Sequence, residues 1–275
     1  AMNSDKLVLD EPWRSLWAGK DPFVAVEALE GEVFRELEGR RTLRTEVAGR
    51  GYFVKIHHGI GWAEMLKNLL SLRLPVLGAQ NEWRAIQRLR ELGVDSMRAV
   101  AYGQRGHNPA RRRSFLVTEE LAPTVSLEDY SLDWAELPPP VRLKRVLITR
   151  VDEMARRMHA GGVNHRDFYI CHFLLHLDPP PTAERLRLSL IDLHRAQVRA
   201  RTPRRWRDKD LAALYFSALD IGLTSRDLLR FVAAYFARPL RHVLSEETAL
   251  LSGLASEALR LQARFARKSA AGEMT

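Results

Sequence analysis

Three consecutive side chains, His165, Arg166 and Asp167, open a segment of the form H-R-D-x-x-x-x-N, in which the aspartate accepts a hydroxyl proton during phosphoryl transfer. The match breaks at its last position, where His172 stands in place of Asn. Three readings follow: a phosphoryl-transfer site with an altered metal position, a zinc site drawn from His165, Cys171, His172 and His176, or chance in a chain rich in arginine. Zinc needs three or four of those donors to converge, and the adjacent Cys171 and His172 diverge if the segment is extended.

Other residues of the right type stand in the right order for phosphoryl transfer. Lys55 sits inside an alternating strand, residues 51–57, with Tyr52, Val54 and Ile56 on one face and Phe53, Lys55 and His57 on the other. Helical spacing puts Glu82 on the same face as Ile86 and Leu89, where a carboxylate is costly unless a cation meets it. Lys55 is the candidate cation, and a strand lysine held by a helix glutamate is the device that grips the α- and β-phosphates of ATP in kinases. Downstream, the run 186–192 alternates Leu188, Leu190 and Asp192 on one face, so that Asp192 closes an apolar strand where it could hold Mg²⁺. Residues 114–122 fall where a hinge would offer backbone groups of Glu119 and Leu121 to adenine. Two features of a protein kinase are missing. No G-x-G-x-x-G precedes Lys55, where the first hairpin has Gly39, Arg40 and Arg41, and no Ala-Pro-Glu follows Asp192.

The elements that must position these residues read as strands at 33–39, 41–48 and 51–57, a helix at 61–72, and a second helix at 81–92 ending at Gly93. Further strands are expected at 100–103 and 114–119, flanking a polar loop at 104–113. A Pro-rich connection at 133–140 leads to a long helix at 142–160, with a short strand pair around the hairpin 178–183 and helices beyond. The fold class is therefore α+β and bilobal. Its expected parts are a small β-rich N-lobe (1–120, carrying the sheet, an inserted amphipathic helix and the glutamate-bearing helix) and a mainly helical C-lobe (121–275), together one kinase domain.

Composition sets the class of partner. With 275 residues, 46% hydrophobic and 28% charged, the chain has ample length for a core. Its net charge of +9, nearly all from arginine over seven lysines, favours an anionic substrate or surface. The arginines are scattered without interleaved aromatics, which argues against nucleic acid and against a non-catalytic nucleic-acid-binding module. Cys171 is the only cysteine, so no intramolecular disulfide forms and a reducing compartment fits. The first thirty residues hold no signal-peptide run, and no eighteen apolar residues run together.

The runs 164–176 (NHRDFYICHFLLH), 191–196 (IDLHRA) and 209–218 (KDLAALYFSA) together resemble the lipopolysaccharide core heptose(I) kinases of Gram-negative bacteria. The resemblance extends over nearly the whole chain, with one departure at Phe168, where the family pattern has Cys. It implies a protein-kinase-like fold and ATP-dependent phosphorylation of the first heptose of the inner core, which is joined through Kdo to lipid A. By motif, Asp167 would be the catalytic base, Asp192 and His172 the Mg²⁺ position, Lys55 the phosphate grip and Glu82 its orienting partner. Glu119 and Leu121 would face the adenine. The resemblance also implies a cytoplasmic chain peripheral to the inner membrane, with the lipopolysaccharide precursor and the anionic membrane surface as partners. A small-molecule kinase of the aminoglycoside phosphotransferase type is the rival, and it would want Asn at 172. As a helix, 61–72 places Trp62, Met65, Leu66 and Leu69 in one stripe. That stripe either packs on the small lobe or meets lipid A acyl chains, the bilayer interface or an acidic protein carrying an acyl group.

Overall fold

The computed structural model describes residues 5–37, 39–59, 78–108 and 111–270. The amphipathic helix expected at 61–72 lies outside the described residues. By its internal contacts the chain divides into two compact units, one formed by the segment up to Gln87 with Met97–Leu121 and Leu193–Arg195, the other by Arg88–Ser96, Ala122–Asp192 and Ala196–Thr275.

The first unit is built on a six-stranded antiparallel sheet of β1 (Lys6–Leu9), β2 (Glu32–Leu37), β3 (Arg40–Val47), β4 (Arg50–His57), β5 (Ala99–Arg105) and β6 (Arg113–Glu119), in the order β1-β5-β6-β4-β3-β2. Alternation along β4 works as the sequence implies. Tyr52, Val54 and Ile56 are buried, and they share a core with Leu43, Val100, Phe115 and Val117. That core is closed by two short helices the sequence reading did not assign, α1 (Trp13–Leu16) and α2 (Pro22–Glu27). Trp13 meets Tyr52 edge-on at 5.2 Å, and Trp17 and Phe23 meet the Phe115 ring at 5.6 and 5.2 Å. The expected loop at 104–113 is shorter, because β5 runs on to Arg105 and pairs with Arg113. Gly103 permits this pairing, since a Cβ there would lie 2.3 Å from the Phe115 ring. Helix α3 (Gln80–Glu91) buries Glu82, Ile86 and Leu89 as its spacing predicts.

The second unit is mainly helical. Its longest elements are α5 (Val141–Ala160), α6 (Arg204–Ser217), α7 (Ser225–Phe236) and α9 (Thr248–Ala270), with the short α4 (Leu127–Tyr130) and α8 (Leu240–Glu246). Helix α5 buries Leu143, Leu147, Val151, Met154, Ala155 and Met158 at the expected spacing, and packs on α7, while α6 packs on α9. Three short strands, β7 (Thr124–Ser126), β9 (Phe173–His176) and β10 (Leu188–Leu190), form one small sheet, and β8 (Val163–Asn164) pairs with β11 (Gln197–Val198). The strand expected at 186–192 is limited to Leu188–Leu190. Asp192 lies beyond it at φ +61°, a left-handed position that ends the extended run. Nor is the segment around Cys171 and His172 extended, since Ile170–His172 is a single 3₁₀ turn.

Candidate active site

The candidate residues fall into two groups, one in each unit. In the first, Lys55 Nζ lies 2.6 Å from Glu82 Oε1, with the side chains 16% and 2% exposed. Strand register fixes the lysine between Thr42 and Leu116, and helix periodicity fixes the acid. A buried pair of this kind gives little net stability, but removing one partner strands the other, at about 3–5 kcal/mol. The cost of Lys55→Ala should therefore fall by more than half in a Glu82→Gln background. A double-mutant cycle read by urea unfolding checks this, and additive costs would show that the two groups are not coupled. His57, two residues along the same face, is held neutral, its pKa pushed down to about 3 by burial and by the charges of Arg40 and Lys55.

Glu119 ends β6, and its N–H donates to the Arg98 carbonyl at 2.9 Å. Next in the chain, Glu120 is clamped by the Arg44 guanidinium through two hydrogen bonds of 2.8 and 2.7 Å, while its N–H reaches the Gly51 carbonyl. Leu121 follows this clamp, so the backbone of 119–121 is held from both sides. Of the two arginines in the first hairpin, Arg41 donates to the Glu27 carbonyl at 3.4 Å.

In the second unit a loop enters from Gly162 and presents His165, Arg166 and Asp167. Gly162 has φ +85°, and a Cβ there would lie 1.9 Å from the Arg199 carbonyl oxygen, so only glycine fits the entry. The fully buried His165 ring ties the loop together. Its Nε2–H donates to the Ile191 carbonyl at 2.9 Å, which leaves Nδ1 to accept from the Asp167 N–H at 3.3 Å. Burial lowers its pKa, in keeping with this neutral tautomer. Arg166 has φ +75°, a conformation a non-glycine residue adopts only when its surroundings impose it.

Asp210 imposes it. From α6, 1% exposed, its carboxylate accepts the N–H groups of His165 at 2.7 Å and Arg166 at 2.8 Å. The same carboxylate faces His159 Nε2 at 3.1 Å, and His159 Nδ1 faces the Tyr235 hydroxyl at 2.8 Å. This buried chain, Asp210–His159–Tyr235, was not singled out from the sequence. The signal was available, because Asp210 shares a helix face with Ala213, Leu214 and Ser217, the pattern that marked Glu82.

Asp167 is half-buried at the end of the loop, and its carbonyl accepts from His172 Nδ1 at 2.7 Å. With Nδ1 engaged there, His172 Nε2 faces Asp192 Oδ2, 3.4 Å away. An imidazole nitrogen and a carboxylate oxygen this close can share a cation. Among the described residues no three or more His, Cys, Asp or Glu side chains gather to hold a metal ion. The Asp192 carboxylate fits Mg²⁺, which takes few protein ligands and completes its shell with water and phosphate oxygens, while the His172 nitrogen is a softer donor. They do not fit structural zinc. His165 Nε2 is engaged by Ile191, His176 Nε2 lies 2.8 Å from Ser189 Oγ, and burial pushes the Cys171 thiol up to about 11. Phe168 is buried between the His159, His165 and Phe173 rings and takes no part in the polar network.

Comparison with known proteins gives the family. Residues 24–235 match the model of the lipopolysaccharide kinase (Kdo/WaaP) family. The chain is 66% identical to lipopolysaccharide core heptose(I) kinase WaaP of Pseudomonas aeruginosa, over 95% of this chain and 98% of that one. It is 57% identical to the Escherichia coli K12 protein of the same name, over 94% and 98%. A solved structure, WaaP in complex with acyl carrier protein, superposes with a TM-score of 0.84 at 62% identity and covers 93% of this chain and 99% of that one. The α+β, kinase-like fold expected from the sequence stands, and the enzyme is a kinase. On the family model and on relatives that align along nearly their whole length, this chain belongs to the lipopolysaccharide kinase (Kdo/WaaP) family.

Proposed function

We propose that the chain transfers the γ-phosphoryl group of ATP to a hydroxyl of the first heptose of the lipopolysaccharide inner core. The observation that carries this is the Asp167 loop, locked by Asp210 and His165 and adjoined by the His172–Asp192 pair, in a chain 57–66% identical to kinases named for that heptose. In this reading Lys55, fixed by Glu82, grips the α- and β-phosphates, and the 119–121 backbone, at Glu119 and Leu121, faces the adenine. Asp167 takes the proton of the heptose hydroxyl as its oxygen bonds to phosphorus, and the bond to the β–γ bridging oxygen breaks to leave ADP. Asp192 and His172 would hold Mg²⁺, which when bound neutralises charge on the β- and γ-phosphates.

His172 in place of Asn adjusts metal use without abolishing it, because an imidazole prefers softer ions than an amide oxygen does. A His172→Asn variant should keep measurable activity with Mg²⁺ and shift its preference between Mg²⁺ and Mn²⁺, as read by turnover with each ion. Loss of ATP binding in that variant would give His172 a different role. The rival small-molecule reading is separated by acceptor choice. Turnover is expected with deacylated core oligosaccharide and not with aminoglycosides, and the reverse would overturn the acceptor.

The same reading places the chain in the cytoplasm, peripheral to the inner membrane. No helix among the described residues is long and apolar enough to cross a membrane. The net charge of +9 supports attraction to an anionic leaflet. An acidic, acyl-bearing protein is proposed as a further partner, on the precedent of the relative solved with acyl carrier protein. A cavity of about 110 Å³ in the second unit, lined by apolar side chains that include Leu147, Val151, Ile170, Leu214 and Phe231, supports an acyl ligand.

A further inference from the structure

Residues 199–209 hold six cations (Arg199, Arg201, Arg204, Arg205, Arg207 and Lys209) and one acid, Asp208. Arg207 is paired with Asp208 at 2.8 Å, and Arg199 donates to Asn164 Oδ1 and Gln197 Oε1, both at 2.7 Å. Arg205 and Lys209 are exposed and meet no carboxylate among the described residues. Both lie instead against one indole, Trp206, at 5.1 and 4.9 Å from its centre. A third cation comes from forty residues away, since the Arg166 guanidinium lies 5.2 Å from the same ring. Trp206 Nε1 is buried without a hydrogen-bond partner among the described residues.

Helix stability does not explain this gathering. Arg204, Arg205 and Arg207 occupy the first turn of α6, which carries no acid there, so the helix dipole opposes them. An aromatic face attracts Arg205 and Lys209 but does not cancel the repulsion between them. A bound anion would cancel it, and the N-terminal amides of α6 add to the same pull. The cluster is also tied to the chemistry. Arg166 directly precedes Asp167, and the Asp210 carboxylate that fixes the Arg166 N–H at 2.8 Å sets the backbone course of both.

We infer that Arg205 and Lys209 on Trp206, beside the loop that carries Arg166 and Asp167, form the subsite that grips an anionic substituent of the acceptor, a carboxylate or a phosphate, and so aligns the acceptor hydroxyl with Asp167. The inference rests on the lipopolysaccharide acceptor proposed above. A guanidinium fork and an ammonium held on a rigid ring suit a multi-oxygen anion, with planar arginine giving direction and lysine giving charge.

The test is steady-state kinetics of an Arg205→Gln, Lys209→Gln double variant with three acceptors: core oligosaccharide carrying both carboxylates and lipid phosphates, the same with carboxyls reduced, and the same dephosphorylated. With the first, KM for the acceptor should rise about 10- to 100-fold, while kcat, KM for ATP and the melting temperature stay at parent values. An Arg205→Lys, Lys209→Arg variant, which keeps the charge, should restore the acceptor KM. The penalty should vanish with whichever acceptor lacks the recognised anion, which names carboxylate or phosphate as the source. An unchanged acceptor KM with all three, in a parent chain that phosphorylates them, would overturn the subsite and leave the acceptor reading intact. A parent chain that phosphorylates none of the three would overturn the acceptor reading itself.

Discussion

An Asp167→Asn variant should bind ATP as the parent does, melt at the same temperature and transfer phosphoryl groups about 10²- to 10⁴-fold more slowly. The change keeps the size of the side chain and removes the carboxylate that accepts the hydroxyl proton. The loop should survive, because its backbone is held by contacts the change keeps: the Asp167 N–H to His165, the Asp167 carbonyl from His172, and the His165 and Arg166 N–H groups to Asp210. Single-turnover rates and a thermal melt measure both halves. Near-parental turnover with an unchanged melt would remove Asp167 from the chemistry.

The second large effect concerns Asp210, which touches no substrate in this account. Asp210→Ala would leave the N–H groups of His165 and Arg166 and the His159 ring without their acceptor inside the second unit. Each buried donor left unmade costs about 1–3 kcal/mol, so a loss of about 3–5 kcal/mol is expected in urea unfolding. Activity should fall further than unfolding explains, because the Asp210 carboxylate holds the Arg166 N–H at φ +75° and the loop relaxes without it. Asp210→Asn keeps one acceptor oxygen and should recover part of both losses. An Asp210→Ala chain as stable and active as the parent would show that the loop holds itself.

What the sequence made legible follows from periodicity. Lys55 and Glu82 each stand out against an apolar repeat, so their pairing could be inferred before any coordinates, and the 2.6 Å contact rests on those two patterns. Asp210 obeys the same rule, but it closes the charged run 204–210, where an acid reads as part of a solvated helix start. The strand at 186–192 was read too long, since alternation continues through Ile191 and Asp192 although the backbone turns left-handed there. α1 and α2 are four and six residues long, too short for a 3.6-residue repeat to declare itself, so the aromatic cover of the sheet was invisible. The Trp206 cluster was half legible. The run 199–209 already sets Trp206 among six cations, against the reading of the arginines as scattered without aromatics, and only Arg166 is brought to the ring by the fold.

The central claim is that this chain phosphorylates an inner-core heptose with Asp167 as base. Mass spectrometry of core oligosaccharide after incubation with Mg-ATP tests it most directly, with the parent chain and Asp167→Asn run side by side. The account predicts a product heavier by one phosphoryl group, with fragmentation placing it on the first heptose, in the parent reaction alone. An oligosaccharide of unchanged mass in the parent reaction, or equal phosphorylation by both chains, would contradict it.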